Sequence, residues 1–205
     1  KNMAIQIKLH KTDEDLFCKS KWWGNPDIPA DFVFDDSLMF LCQIRCDDLV
    51  DYDEDNILPH NGMLYFFCDV AYYLGYYDDF EPQPSSYWNK DAVKVYYVND
   101  VDESSFKQII FDDDYFPQIK ERKVEFELTD DESPGFKLLG LPYMLEYENW
   151  PPPYGKYINL LQVDSEEDDD FDLMFMDMGL LYLIINPKDL ERKDFSKVRG
   201  YLYST

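Results

Sequence analysis

Apolar and polar residues alternate with a period of two over many short segments of this chain. In residues 4–9 the apolar positions are Ile5, Ile7 and Leu9, and residues 124–128 repeat the alternation. A period of two places neighbouring side chains on opposite faces of an extended backbone, so both segments are predicted to be β-strands. Six further segments are rich in β-branched and aromatic residues, are bounded by Gly, Pro and Asp, and are also predicted to be strands: residues 38–44, 63–68, 93–98, 157–163, 180–185 and 198–203.

Helical periodicity is short and weak by comparison. Residues 14–22 and 187–193 are the two segments predicted to form short helices, the second with Pro187 in its first turn. The sequence therefore predicts an α+β fold that is mainly antiparallel β with a few short helices.

Several of these segments belong to an internal repeat. Lys-Trp-Trp-Gly-Asn-Pro at residues 21–26 returns as Lys-Leu-Leu-Gly-Leu-Pro at residues 137–142. Two more blocks follow in the same order, and all three return 116 to 119 residues later: Leu-Cys-Gln-Ile at 41–44 with Leu-Leu-Gln-Val at 160–163, and Gly-Met-Leu-Tyr at 62–65 with Gly-Leu-Leu-Tyr at 179–182. A single ordered pattern of this length predicts that the fold is built twice.

The repeat also predicts the domain organisation. Repeat one covers about residues 4–98, repeat two about residues 123–204, and residues 99–122 connect them. Each repeat is predicted to be a β-meander lobe, and a lobe of roughly 90 residues is marginally stable alone. We therefore expect residues 1–205 to form a single bilobed domain whose lobes are related by a pseudo-twofold axis.

Composition changes this picture mainly through charge. Hydrophobic residues make up 45% of the chain, which is too apolar for a disordered acidic segment. The 43 acidic and 19 basic residues give a formal net charge of −24. Such a surface repels nucleic acid and anionic lipid and attracts basic proteins, so we expect a basic protein partner, no nucleic acid and no membrane. The longest apolar run, residues 178–185, is far shorter than the roughly 20 residues of a membrane span, and no signal peptide is expected.

The four cysteines do not suggest a disulfide framework. Cys18, Cys42, Cys46 and Cys68 form no Cys-x-x-Cys pair, and most of them lie in apolar segments. Buried reduced thiols of this kind predict a cytoplasmic protein.

Patterns typical of catalytic and metal sites are weak. Residues 51–56 imitate the opening of an EF-hand loop, but Asn56 replaces the required Gly and Gly62 replaces the bidentate Glu. A solvated acidic loop is the favoured interpretation, and no metal or other cofactor is expected. A Cys–His pair formed by His60 with Cys42 or Cys68 stays open as a hypothesis, but no catalytic residue is assigned.

Two repeated glutamines lie between apolar neighbours in predicted strands. A buried amide needs hydrogen-bond partners, so Gln43 and Gln162 could face a ligand or bond to the backbone of a neighbouring turn. Because both repeats carry the residue, the structural role is favoured.

A tyrosine-rich insertion distinguishes the two repeats. Repeat one joins two equivalent strands with residues 68–92, whereas repeat two uses the shorter segment 185–197. Aromatic side chains in an acidic loop can stack on sugars, hold proline-rich peptides or contact cations. The same rings could equally cover the sheet in a purely structural role. On the first interpretation, the candidate ligand-binding or partner-binding residues are Tyr72, Tyr73, Tyr76, Tyr77, Tyr87 and Trp88.

The repeated blocks carry a family resemblance. The segments Ser-Lys-Trp-Trp-Gly-Asn-Pro-Asp-Ile-Pro at 20–29, Leu-Cys-Gln-Ile at 41–44 and Gly-Met-Leu-Tyr-Phe-Phe-Cys-Asp at 62–69 resemble the YwqG-like family, a bacterial domain family of unknown function. The resemblance covers nearly the whole chain. It implies a cytoplasmic, acidic, single-domain protein of mainly β structure, and it supplies no catalytic residues.

Three functions follow from these observations as hypotheses. The favoured one is a non-enzymatic protein-interaction module, of the inhibitor or immunity type, whose partner is a basic protein. The second is binding of a small ligand or peptide in the inter-lobe groove and the tyrosine-rich loop. The third is a hydrolase or transferase with an unrecognised site.

Overall fold

A computed structural model describes residues 3–75, 92–110, 118–144, 150–175 and 178–203. Its strands are β1 (Met3–His10), β2 (Lys21–Trp22), β3 (Asp27–Pro29), β4 (Met39–Arg45), β5 (Met63–Cys68), β6 (Val93–Val98), β7 (Phe106–Gln108), β8 (Arg122–Asp130), β9 (Lys137–Leu138), β10 (Ile158–Asp164), β11 (Glu166–Glu167), β12 (Asp172–Leu173), β13 (Leu180–Ile185) and β14 (Arg199–Tyr203). The helices are α1 (Val70–Leu74), α2 (Pro187–Glu191) and a 3₁₀ helix at Cys46–Leu49. The mainly antiparallel β fold is confirmed, as are the predicted strands.

Ten strands form one antiparallel sheet in the order β14-β13-β10-β9-β1-β8-β2-β4-β5-β6. The central strands β1 and β8 pair along their length, from Met3 opposite Asp130 to His10 opposite Lys123. β1 also pairs with β9, and β8 also pairs with β2. Each outer half of the sheet is thus a meander whose innermost strand comes from the other half of the chain.

Strands β5 and β13 are apolar at every position because both of their faces are covered. In β5, Leu64 and Phe66 belong to the main core, whereas Tyr65 and Phe67 face a second apolar cluster. The same division occurs in β13, where Leu180, Tyr182 and Ile184 face a third cluster. Burial on both faces explains why these segments are continuous hydrophobic runs instead of alternating ones.

The predicted helix at residues 14–22 is wrong. The Asp15 carboxylate accepts a hydrogen bond from the backbone N–H of Phe17, and Cys18 has a left-handed φ of 56°. Lys21 and Trp22 then enter the sheet as β2 between β4 and β8. Local side-chain-to-backbone bonds of this type compete with helix formation.

The second predicted helix is confirmed as α2. Asn186 is its N-cap, its side chain accepts a hydrogen bond from Lys188 N, and Pro187 occupies the first turn. In the part of the chain that the structure describes, no helix is long and apolar enough to cross a membrane.

Candidate functional site

Two rows of polar side chains cross the two halves of the sheet in the same order. Lys21, Gln43 and Tyr65 are cross-strand neighbours on β2, β4 and β5. Lys137, Gln162 and Tyr182 occupy the corresponding positions on β9, β10 and β13. All six residues are fully buried. We name them the first and the second polar row.

In the first polar row, Gln43 and Tyr65 hold a turn against the sheet. Gln43 Oε1 accepts from Asp27 N at 2.9 Å, and Gln43 Nε2 donates to Lys19 O at 2.8 Å. Tyr65 Oη donates to Asp27 O at 2.7 Å. The structural role predicted for this glutamine is confirmed, because its amide bonds to the neighbouring backbone.

Lys21 completes that row with a buried ion pair. Its Nζ lies 2.8 Å from Asp27 Oδ2 and 3.2 Å from Glu121 Oε2. Asp27 Oδ2 also accepts a hydrogen bond from Cys18 N. A charge this deeply buried is tolerated only with a partner of opposite charge and further hydrogen bonds.

The second polar row has the same geometry with different partners. Gln162 Oε1 accepts from Tyr143 N at 2.9 Å, and Gln162 Nε2 donates to Gly135 O at 2.9 Å. Lys137 Nζ donates to the carbonyls of Asp131 and Leu141, at 2.6 and 2.7 Å. Among the described residues, no carboxylate lies within ion-pair distance of this ammonium. Burial lowers the pKa of Lys137 to about 8.

A surface concavity of about 780 Å³, which we name the acidic groove, lies elsewhere. Three chain segments line it: Glu14, Leu16, Lys19 and Ser20; Asp47, Asp48, Asp51 and Tyr52; and Lys123, Val124, Glu125 and Phe126. Its apolar residues are Leu16, Tyr52, Val124 and Phe126, and the Tyr52 and Phe126 ring centroids are 5.9 Å apart. The groove therefore combines five carboxylates and two lysines with an apolar surface.

The carboxylates of the acidic groove differ in how far they are neutralised. Glu14 lies 2.9 Å from Lys123 Nζ, which lowers the Glu14 pKa, and Asp47 lies 2.9 Å from Arg45 Nε. Among the described residues, Asp48 accepts a hydrogen bond only from the neutral Ser20 hydroxyl, and Asp51 has no ion-pair partner. Asp48 and Asp51 are both exposed. These two carboxylates are available to a cation from outside.

His60 contacts a carboxylate instead of a thiol. Its Nε2 lies 3.0 Å from Oδ2 of the buried Asp53, which also accepts from Leu58 N at 2.7 Å. Burial raises the pKa of Cys42 and of Cys68 well above the ordinary value. Neither thiol is therefore a thiolate near neutral pH, and the hypothesis of a Cys–His pair has no geometric support.

The EF-hand-like opening is an acidic turn. Asp53 caps it through backbone N–H groups, including that of Ile57 at 3.1 Å. Within the described ranges, no group of three or more His, Cys, Asp and Glu side chains is arranged to hold a metal ion. All four cysteines are buried and unpaired.

The structure places two of the tyrosine-rich candidates in the core. Tyr73 is fully buried and Tyr72 is 9% exposed, and their ring centroids lie 5.2 Å apart in a T-shaped arrangement. Tyr73 packs against β14 at Gly200, where a Cβ would lie 2.1 Å from its hydroxyl. The other four candidates, Tyr76, Tyr77, Tyr87 and Trp88, lie outside the described residues, so this site stays a prediction.

Sequence reasoning missed the two buried lysines and the acidic groove. Repetition of a lysine inside otherwise apolar blocks was the available signal for Lys21 and Lys137. The groove had no local signal, because its three lining segments are far apart in the chain.

Comparison with known proteins gives a family but no activity. No curated protein matches the chain. A family model described as "Domain of unknown function (DUF1963)" matches residues 20–202, a stretch that includes both polar rows. The match covers most of the chain, which therefore belongs to this family of unknown function.

Proposed function

We propose that this protein is a non-enzymatic interaction module that binds a basic segment of another protein in the acidic groove. The observation that carries the proposal is the combination, in one concavity, of exposed carboxylates with an apolar floor. Carboxylates give fast and selective association with a cationic partner. The apolar floor gives binding energy that salt does not screen.

The geometry defines the chemistry of the partner segment. Arg or Lys side chains would pair with Asp48 and Asp51, which lack a cationic partner among the described residues. An aliphatic or aromatic side chain between them would contact Tyr52 and Phe126. The net charge of −24 adds a long-range attraction for the same partner and a repulsion for anionic ones.

The acidic composition of the chain defines the partner and the role more closely. The partner is a basic effector, and the role is of the inhibitor or immunity type. A cytoplasmic location accords with four buried free thiols. We also propose that the chain is a member of the YwqG-like family, which its sequence resembles.

We also infer that the two halves of the sheet arose by internal duplication. The two polar rows have the same register. In both halves the short strand is followed by two consecutive left-handed residues, Trp23 and Gly24 at φ 62° and 74°, and Leu139 and Gly140 at φ 61° and 77°. Non-glycine residues rarely adopt this conformation, so its recurrence supports a common origin.

The binding proposal is tested with a labelled synthetic peptide that alternates Arg and Leu, measured by fluorescence anisotropy. The groove variant Asp47→Asn/Asp48→Asn/Asp51→Asn removes three charges from the acidic groove. The control variant Glu132→Gln/Glu167→Gln/Glu191→Gln removes three charges from exposed positions elsewhere. At low salt we expect the groove variant to weaken binding by about tenfold or more and the control by about twofold or less.

Equal weakening by both variants would show that net charge alone attracts the peptide, and the groove assignment would then be rejected. A peptide that alternates Glu and Leu keeps the apolar side chains and reverses the charges, so we expect electrostatic repulsion to prevent its binding. Melting temperatures of both variants check that neither has unfolded.

A further inference from the structure

The acidic groove lies along one edge of strand β8. Its lining includes four consecutive residues of that strand, at positions 123–126. Neighbouring side chains of a strand point to opposite faces of the sheet, so a concavity that touches consecutive residues lies against the edge of the strand and not against one face. The backbone of β8 is therefore part of the groove wall.

This edge of β8 is open because the neighbouring strand is short. β1 covers the opposite edge of β8 along its whole length, whereas β2 pairs with only the first two residues of β8. If β2 extended farther back along the chain, Cys18 would lie opposite Phe126. The N–H and C=O of Cys18 bond instead to the side chains of Asp27 and Arg45. Within the described ranges, β8 thus has no paired strand on the groove side beyond the end of β2.

One hydrogen bond shows which backbone groups point out of the open edge. In an antiparallel pair, each residue directs its N–H and C=O either towards the partner strand or away from it, and successive residues alternate. Ile7 N donates to Phe136 O, on the side of β1 away from β8. Phe126 lies opposite Ile7, so its N–H and C=O also point away from β1. Leu128, two residues on, has the same orientation, and the glutamates on either side of Phe126 bond to β1.

The outward-pointing groups of β8 are available for pairing. In the part of the chain that the structure describes, no hydrogen bond reaches the N–H or C=O of Phe126 or Leu128 from the groove side. Phe126 is half-buried, and Leu128 is 37% exposed. An exposed strand edge with free backbone groups is a template for a further strand.

We propose that the basic segment bound in the acidic groove pairs with β8 as an additional antiparallel strand, through the backbone groups of Phe126 and Leu128. This pairing rests on the binding function proposed for the groove and specifies the conformation of the partner. The described strands of the ten-stranded sheet pair in the antiparallel sense, which is more stable per residue than parallel pairing.

The side chains along β8 define the sequence of the added strand. Phe126 and Leu128 point to one face, and Glu125 and Glu127 point to the other. Both glutamates are exposed, and each has one basic contact on β1. Because opposite residues of an antiparallel pair share a face, an apolar residue belongs opposite Phe126 and basic residues belong opposite the glutamates. A second copy of this chain is excluded as the partner, since it would place glutamates opposite glutamates and add another charge of −24.

The test uses the peptide that alternates Arg and Leu in two methylated forms. One form carries N-methyl groups on its leucines and the other carries the same number on its arginines, so the two have equal charge. In the proposed pairing, a leucine lies opposite Phe126 and directs its N–H towards β8, whereas the arginine N–H groups point away. By fluorescence anisotropy, we expect leucine methylation to weaken binding at least about tenfold and arginine methylation about threefold or less.

Amide hydrogen exchange locates the pairing on the native protein. With saturating unmethylated peptide, the N–H groups of Phe126 and Leu128 should exchange at least about tenfold more slowly. Glu125 and Glu127 already bond to β1, so their exchange should not change. Leu9 is a further control, because its N–H is likewise unpaired on the outer side of β1 among the described residues but lies outside the groove.

Strand addition is rejected if the two methylated peptides bind equally, if arginine methylation is the more damaging, or if Phe126 and Leu128 gain no protection. Protection of Leu9 equal to that of Phe126 also rejects it, because pairing would then not depend on the groove. In these cases the unmethylated peptide still binds and still responds to the groove variant, so the proposed function stands without the added strand. If the unmethylated peptide does not bind, both proposals are rejected.

Discussion

At the scale of single residues, the two buried lysines occupy equivalent positions of the repeat but have different partners for their ammonium groups. Lys21 pairs with the carboxylates of Asp27 and Glu121, whereas Lys137 donates to two backbone carbonyls. A carboxylate partner keeps an ammonium charged inside a protein, and its absence allows burial to lower the pKa. The two rows therefore have the same geometry and different electrostatics.

The buried ion pair gives a prediction for Asp27→Asn. This substitution leaves the Lys21 charge buried with only Glu121 beside it, so we expect the free energy of unfolding to fall by about 3–5 kcal/mol. Urea denaturation followed by tryptophan fluorescence measures the loss.

Two further variants separate the possible causes. Lys21→Met/Asp27→Leu removes both charges and should lose less stability than Asp27→Asn alone. Glu127→Gln disrupts the Lys8–Glu127 pair, whose side chains are more than half exposed, and should change stability little. If Asp27→Asn behaved like Glu127→Gln, the buried pair would not stabilise the turn.

At the same scale, part of the site chemistry could be predicted from sequence. The structural role of Gln43 and Gln162 followed from their repetition, and the structure confirms it. The open backbone groups of Phe126 and Leu128 could not be predicted, because the alternation that makes β8 a strand does not reveal which of its edges is covered.

At the scale of elements, the eight longer strands were predictable and the short strands of two or three residues, such as β2, were not. Apolar runs determine β5 and β13 because a sheet covered on both faces requires them. The local pattern of residues 14–22 predicts a helix. In the structure, however, Lys21 and Trp22 pair with β4 and β8 as part of the sheet. Helix propensity is a weak preference that tertiary pairing readily overrides.

The turn that follows β9 gives a second prediction about the stability of the protein. Gly140 has a φ of 77°, and a Cβ there would lie 2.7 Å from Ala4 Cβ and 2.8 Å from Asp131 O. Gly140→Ala therefore combines backbone strain with a steric clash, and we expect it to destabilise the protein by about 2–4 kcal/mol.

Gly135→Ala is the matched control. Its φ is 84°, but the nearest atom to its Cβ would be the end of the flexible Gln6 side chain. It should lose only the strain of about 1–2 kcal/mol. Equal losses in thermal denaturation would contradict the clash with the Asp131 carbonyl.

At the scale of the whole molecule, charge is the dominant property. A net charge of −24 destabilises a compact state by self-repulsion. Raising NaCl from about 10 mM to about 300 mM shortens the screening length from about 30 Å to less than about 8 Å, so we expect the melting temperature to rise by a few degrees.

The reason for such a rise can be checked with other salts and variants. KCl at equal concentration should give the same rise, because screening does not depend on the identity of the monovalent cation. The control variant Glu132→Gln/Glu167→Gln/Glu191→Gln has less self-repulsion and should show a smaller rise. A rise with NaCl that KCl does not reproduce would indicate specific sodium binding instead.

The sequence by itself determined the class of fold, the eight longer strands of the sheet and the acidic character of the protein. These properties depend on local hydrophobic pattern and on composition, which do not require knowledge of distant contacts. The position of β1 and β8 at the centre of the sheet was decided only by the tertiary structure. So were the burial of Lys21 and Lys137, the acidic groove and the open edge of β8. Each of these features requires side chains or strands from distant segments to meet, and local patterns in the sequence do not reveal which segments become neighbours.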